Sequence, residues 1–176
     1  MVRVWDLPVR VLHWALVASV VLAWATTGWF GEWHRAIGYA GLGVLIARVV
    51  WGFVGSRHAR FAQFVRGAGP TWRYLRLAIR AREPRHVGHN PLGACMVLAM
   101  IACLAGLALT GWLYTTDWFW GDETVERIHV SLAWTMVVLA VLHVTGVVVA
   151  SVRHRENLVV AMATGDKREA RGSDIE

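Results

Sequence analysis

HVSLAWTMVVLAVLHVTGVVVASV, residues 129–152, is a run of 24 residues without one Asp, Glu, Lys or Arg. At about 1.5 Å of rise per helical residue it is long enough to cross a hydrocarbon core of about 30 Å. Its two imidazoles, His129 and His143, stand fourteen residues apart. That spacing is about 21 Å along a helix axis and only about 40° around it. One helix therefore offers two imidazoles on nearly the same face, at two depths.

Three more apolar runs of spanning length precede it: Val9–Trp29, Ala36–Val54 and Pro91–Tyr114, the last with Pro91 at a favourable first-turn position. The reading is an all-α, integral membrane four-helix bundle with spans over 9–29, 36–54, 91–114 and 129–152. Composition agrees: 56% of residues are apolar, 17% are charged, and mean hydropathy is +0.44. The eleven Trp are in excess, and Trp29, Trp33, Trp51, Trp112, Trp118 and Trp120 sit near the ends of runs, as interfacial belts do. The first run is too long for the core of a secretory signal and lacks a cleavage pattern, so it reads as a retained span.

The net charge of +6 is distributed as membrane topology rather than as a nucleic-acid surface. Arg3 and Arg10 precede or open the first span. Arg57, Arg60, Arg66, Arg73, Arg76, Arg80, Arg82 and Arg85 lie between the second and third. Arg153, Arg155, Lys167, Arg168 and Arg171 follow the fourth. The opposite loops are short, and the last carries Asp117, Asp122, Glu123 and Glu126. The positive-inside rule then puts both termini and the long middle loop in the cytoplasm of a bacterial inner membrane protein. No nucleic-acid partner is expected.

Within the middle loop, residues 70–83 read as an amphipathic helix resting on the membrane surface. Arg73, Arg76 and Arg80 form one stripe, and Trp72, Leu75, Ala78 and Ile79 lie on another face. Residues 1–164 make one domain, and the polar tail 165–176 is expected to be disordered. Cys95 and Cys103 are eight residues apart on one helix, too far along its axis to bridge, and no C-x-x-C-H exists for covalent haem attachment.

Eight histidines in so small a membrane chain need a reason, because ionisable groups at bilayer depth are costly. His13 lies just inside the cytoplasmic end of the first span and His34 at the periplasmic start of the second. Depth pairs His13 with His143 and His34 with His129. Neutral imidazole is a good ligand for haem iron, and two fill both axial positions, which favours electron transfer over oxygen binding. The expected cofactors are two haems b, one on each side of the membrane. A lone histidine would read as a hydrogen-bonded interior residue, but four at two matched depths read as two ligand pairs.

Arg48 lies fourteen positions after His34, on the same face about 21 Å deeper, at the level of His13 and His143. It suits a haem propionate, and snorkelling to the cytoplasmic surface accounts for it equally well. His89 flanks the third span, placed for a propionate or a quinone headgroup, while His86 reads as interfacial and His58 and His154 as solvated. Small residues on the second and third spans (Gly38, Gly41, Gly43, Gly93, Ala102 and Gly106) permit close approach of helices or of a flat porphyrin.

These residues bring a family into view. VWDLPVRVLHW at 4–14, HRAIGYAGLGVLIARVVWGFVGSRHARF at 34–61, GHNPLGA at 88–94, the fourth span with its two histidines and HRENLVVAMATG at 154–165 resemble the bacterial dihaem cytochromes b of the cytochrome b561 type. That group includes the membrane subunit of nickel–iron hydrogenases. The resemblance implies a four-helix bundle, two bis-histidine haems b on His13, His34, His129 and His143, and electron transfer between a membrane quinone and a redox partner. Ubiquinone or another quinone would serve, with a c-type cytochrome or a hydrogenase as the protein partner. The Trp-rich acidic loop from Tyr114 to Glu126 would meet a basic partner or simply hold the interface. Exposed interfacial Trp suits a homodimer as well as membrane lipid.

Two rivals stand beside the electron carrier. One is an enzyme, a quinone-linked superoxide oxidase, for which Arg35 and Arg127 beside His34 and His129 would guide the anion. The other is a haem-free transporter or assembly subunit whose histidines bind a transition metal.

Overall fold

The computed structural model describes residues 1–28, 31–172, 174 and 175. Four helices are long and apolar enough to cross a membrane: α1 (Leu7–Ala25), α2 (Gly31–Val54), α5 (Pro91–Leu113) and α6 (Glu123–His154). Two short helices, α3 (Phe61–Phe64) and α4 (Ala68–Ile79), lie between α2 and α5. α7 (Leu158–Thr164) follows α6, and a two-residue strand at each terminus, β1 (Val2–Arg3) and β2 (Asp166–Lys167), completes the order.

Three of the long helices begin ahead of the apolar runs, and for α1 and α6 a capping carboxylate sets the start. Asp6 Oδ1 accepts from Val9 N at 2.8 Å, so α1 starts at Leu7 rather than Val9. Asp122 Oδ1 accepts from Thr124 N and Val125 N at 2.8 and 2.9 Å, with Glu123 and Glu126 in the first turn opposing the helix dipole. α6 therefore starts six residues before His129, and part of the acidic loop is helix. α2 likewise starts at Gly31, so His34 lies inside its first turn. α5 begins at Pro91, where Gly93 N donates to the Asn90 side chain at 2.7 Å. α1 ends at Ala25, followed by a turn, and the expectation that the span reaches Trp29 lies outside the described residues.

The chain divides into two compact units. The first comprises Met1–Arg10, Val50–Leu98 and Val141–Glu176. Its apolar core is Val4, Trp5, Val9, Ala59 and Val87, with Val2, Trp51, Met162 and Ala170 against it. β1 and β2 pair antiparallel, Val2 opposite Lys167 and Arg3 opposite Asp166. The tail expected to be disordered has partners here. Lys167 Nζ donates to Val87 O at 2.8 Å, Ile175 N donates to Arg85 O at 2.8 Å, and Arg85 holds both Glu156 (2.8 Å) and Asp174 (2.7 Å). Lys167 and Asp174 of the tail thus join a buried ionic cluster.

In the same unit α4 starts two residues before Pro70 and stops at Ile79. Ala81 turns left-handed at φ 54°, and Arg82 N closes back onto Leu77 O. Trp72 and Ile79 are exposed, while the buried member of the helix is Tyr74, whose ring meets His86 at 5.3 Å. Arg76 lies over the Trp72 ring at 5.4 Å.

The second unit comprises Val11–Val49 and Ala99–Ala140, and in it stretches of all four long helices pack as a bundle. A Cβ on Gly41 would stand 3.2 Å from Ser19 Cβ, and one on Gly106 3.0 Å from Leu132, so both glycines mark close helix approaches. Trp24 meets Trp134 edge to face at 5.1 Å, joining α1 to α6. Cys103, buried on α5, points its thiol at Leu132 O at 3.3 Å, while Cys95 is exposed.

Candidate functional site

His34 and His129 come together inside the second unit. Their ring centroids are 6.2 Å apart, with planes at 75°. A metal–imidazole bond of about 2 Å on each side, with about 1 Å more from nitrogen to ring centre, spaces two axial imidazoles by about 6 Å. The observed separation therefore fits one six-coordinate iron between them.

The outward nitrogens are engaged in a way that fixes the chemistry of the inward ones. His34 Nδ1 is 2.9 Å from Ala23 O on α1. A carbonyl oxygen only accepts, so Nδ1 carries a proton, and in the neutral ring the lone pair is then on Nε2. His129 Nδ1 is 2.9 Å from Thr110 Oγ1 on α5. That hydroxyl also lies 2.8 Å from Gly106 O, to which it donates, as threonines inside helices do. Gly111 also packs against the ring, since a Cβ there would stand 3.3 Å from His129 Cε1. Both histidines thus have Nδ1 engaged and their rings oriented, the arrangement that ligating histidines adopt when a second hydrogen bond steers them. α1, α2, α5 and α6 each supply one component.

Thr110 and the Ala23 carbonyl were not among the residues the sequence singled out. A threonine in an apolar helix reads as bonded to its own backbone, and a carbonyl carries no side-chain letter.

The other candidates stand as follows. His13 is half-buried on α1, its ring 5.2 Å from that of Trp14. Arg48 is buried on α2 with 7% of its surface exposed. Both belong to the second unit. His143, half-buried on α6, belongs to the first. His89, also in the first unit, is held between the rings of Trp5 (4.7 Å) and Phe64 (4.4 Å). It borders a cavity of about 30 Å³ shared with His58, Arg66 and His86, room for about one water. Burial drives the His86 pKa below its ordinary value. The Pro84 carbonyl opposes this, and Arg66, His154 and Lys167 add to it. His86 is thus partly buried within the first unit.

Comparison with known proteins shows the family. The family model for prokaryotic cytochrome b561 matches residues 4–165. Among curated proteins, the probable Ni/Fe-hydrogenase B-type cytochrome subunit of Rhodobacter capsulatus is 25% identical, over 94% of this chain and 81% of its own length. The proteins of the same name from Rhizobium leguminosarum bv. viciae and Azotobacter vinelandii are each 27% identical, covering 94% and 93% of this chain and 88% and 87% of their own lengths. No solved structure matches the chain. With four spanning helices, a paired-imidazole site in their bundle and a family match over nearly its whole length, the chain belongs to the prokaryotic cytochromes b561.

Proposed function

We propose that this chain carries electrons across a bacterial inner membrane through two bis-histidine haems b, between the quinone pool and a redox protein. Family membership implies transmembrane electron transfer and haem b in a bacterial membrane protein. The number of haems, their ligands, the partner and the topology are the finer reading. The observation that carries it is the His34–His129 pair, 6.2 Å apart with each Nδ1 already committed outward. The second pair, His13 with His143, rests on their matched depth in the sequence and on the near-common face that His143 shares with His129. Arg48 and His89 are assigned to the cofactor and quinone environment of that side, and both termini to the cytoplasm on the distribution of arginine.

Haem supplies reversible one-electron chemistry when bound. The chain's part is to hold each Nε2 in place, to exclude water with apolar helix faces, and to set local charge. A hydrogenase partner is drawn from the relatives' names. The aligned stretch of 213 positions is longer than this chain of 176 residues. That relative therefore carries added residues within it, and a c-type cytochrome remains an equal candidate.

A quinone-linked superoxide oxidase is the second reading; its Arg35 lies 3.6 Å from Glu32 in an exposed pair at the start of α2. The transition-metal reading finds no group of three or more His, Cys, Asp or Glu placed for a metal among the described residues.

The test is a pyridine haemochrome count and a reduced-minus-oxidised spectrum of detergent-purified protein, alongside His129→Ala and His143→Ala. Two haems b per chain, each substitution removing one, is the expected result. A colourless protein, or retention of both haems in either variant, would overturn the ligand scheme.

A further inference from the structure

We infer that Thr110 is a positioning residue for His129, one that fixes its tautomer and lowers the potential of the centre shared with His34; this rests on the haem reading above. Thr110 is buried on α5, and its oxygen has three neighbours within hydrogen-bond reach: Gly106 O at 2.8 Å, Leu107 O at 3.2 Å and His129 Nδ1 at 2.9 Å. A hydroxyl has one proton. Both carbonyls can only accept, so that proton goes to the helix backbone, Gly106 O being the nearer. Towards His129 the oxygen then offers a lone pair, and the imidazole must donate. Nδ1–H follows, and with it a ligating Nε2.

The consequence is electronic as well as geometric. An N–H drawn towards an acceptor leaves its ring richer in electrons, and a richer imidazole stabilises the ferric state. The acceptor here is a hydroxyl that is itself donating, which polarises its oxygen further. On the opposite ring the acceptor is the Ala23 carbonyl, a backbone group that no side-chain substitution removes. Thr110 is therefore, among the described residues, a side chain by which this tuning can be altered at the site. Gly111 leaves the ring close enough to use it, with 3.3 Å between a Cβ built there and His129 Cε1.

The experiment is redox titration of the purified dihaem protein followed in the visible spectrum, with low-temperature electron paramagnetic resonance on the oxidised form. Thr110→Val keeps the branched shape and removes the hydroxyl acceptor; Thr110→Ser keeps the hydroxyl. The expected result for the valine variant is one midpoint potential shifted upward, with the other unmoved and the ferric signal of that centre changed. The serine variant should match wild type in both readouts. A valine variant that loses haem from this site, with serine restoring content and potential, also supports the assignment. A valine variant with full haem content and wild-type potentials, a downward shift, or a serine variant as damaged as valine would overturn it. Failure of the underlying haem reading shows separately, as wild-type protein without haem or as His129→Ala retaining both.

Discussion

Gly165 ends α7 at φ +91°, and its carbonyl accepts from both Val4 N (2.9 Å) and Trp5 N (3.0 Å). A side chain there meets two obstacles. The left-handed conformation costs an L-residue roughly 1–2 kcal/mol, and a Cβ would stand 2.5 Å from Trp5 O. Gly165→Ala should therefore destabilise the first unit by on the order of 2 kcal/mol or more, read as a lowered midpoint of thermal unfolding in detergent. At this scale the sequence was partly legible. His34 and His129 could be paired because helix rise converts numbering into depth. Thr110 could not be found that way, since its role depends on which face of α5 meets α6. Tyr74 escaped for a similar reason: α4 buries it, while of the apolar face that periodicity marked, Trp72 and Ile79 are exposed and Leu75 and Ala78 partly buried. Burial there pushes the Tyr74 phenol up to about 12, with the Glu83 carboxylate adding to the effect and Arg153 opposing it.

Among the elements, α6 shows what a cap does to a functional position. Apolarity placed His129 at the start of the fourth span, yet Asp122 begins the helix at Glu123 and sets His129 within its second turn. Asp122→Ala should cost about 1 kcal/mol of stability and fray the first turn, while leaving His129 ordered. The haemochrome count should stay at the wild-type value while the unfolding midpoint falls. Loss of haem in this variant would show that the cap itself positions the ligand. The four spans were legible because their runs exceed any soluble helix core. Their ends were not, because one capping carboxylate outweighs several residues of hydropathy, and the acidic loop hid such a carboxylate among surface charges.

For the molecule as a whole, the first unit is closed by ion pairs. Arg85, with 3% of its side chain exposed, holds Glu156 and Asp174, while Lys167 stands 3.6 Å from Glu156. Burial works to raise the Glu156 and Asp174 pKa values, but hydrogen bonds and the Arg85 charge outweigh it, and both lie below their ordinary range. Carboxylates so depressed contribute stability that is complete above their ordinary values of 4.5 and 3.8 and is lost as pH falls through the lower folded values. Burial depresses Lys167 below its ordinary 10.5, against the pull of Glu156. This group therefore gains stability as pH rises between its folded value and 10.5, and mild alkali does not release the tail through it. Acidification below about pH 4 should free residues 165–175, seen as new cleavage of the tail by an acid-active protease, with no such cleavage at pH 7. Composition marked this tail as disordered because it has few apolar letters. Its partners Arg85, Glu156 and Val2 lie far away in the chain, where local pattern does not reach.

The pairing of β1 with β2 also has a consequence in time. Met1 reaches Glu169 across 168 positions, and Arg3 reaches Asp166 across 163. At roughly 5–20 residues per second of synthesis, the first strand leaves the ribosome about ten seconds or more before its partner exists. Trp5 and Val9 must wait, uncovered, while four helices enter the membrane one after another. The early strand is among the last elements to find its neighbour, so this unit closes only once residues 166–167 have been made.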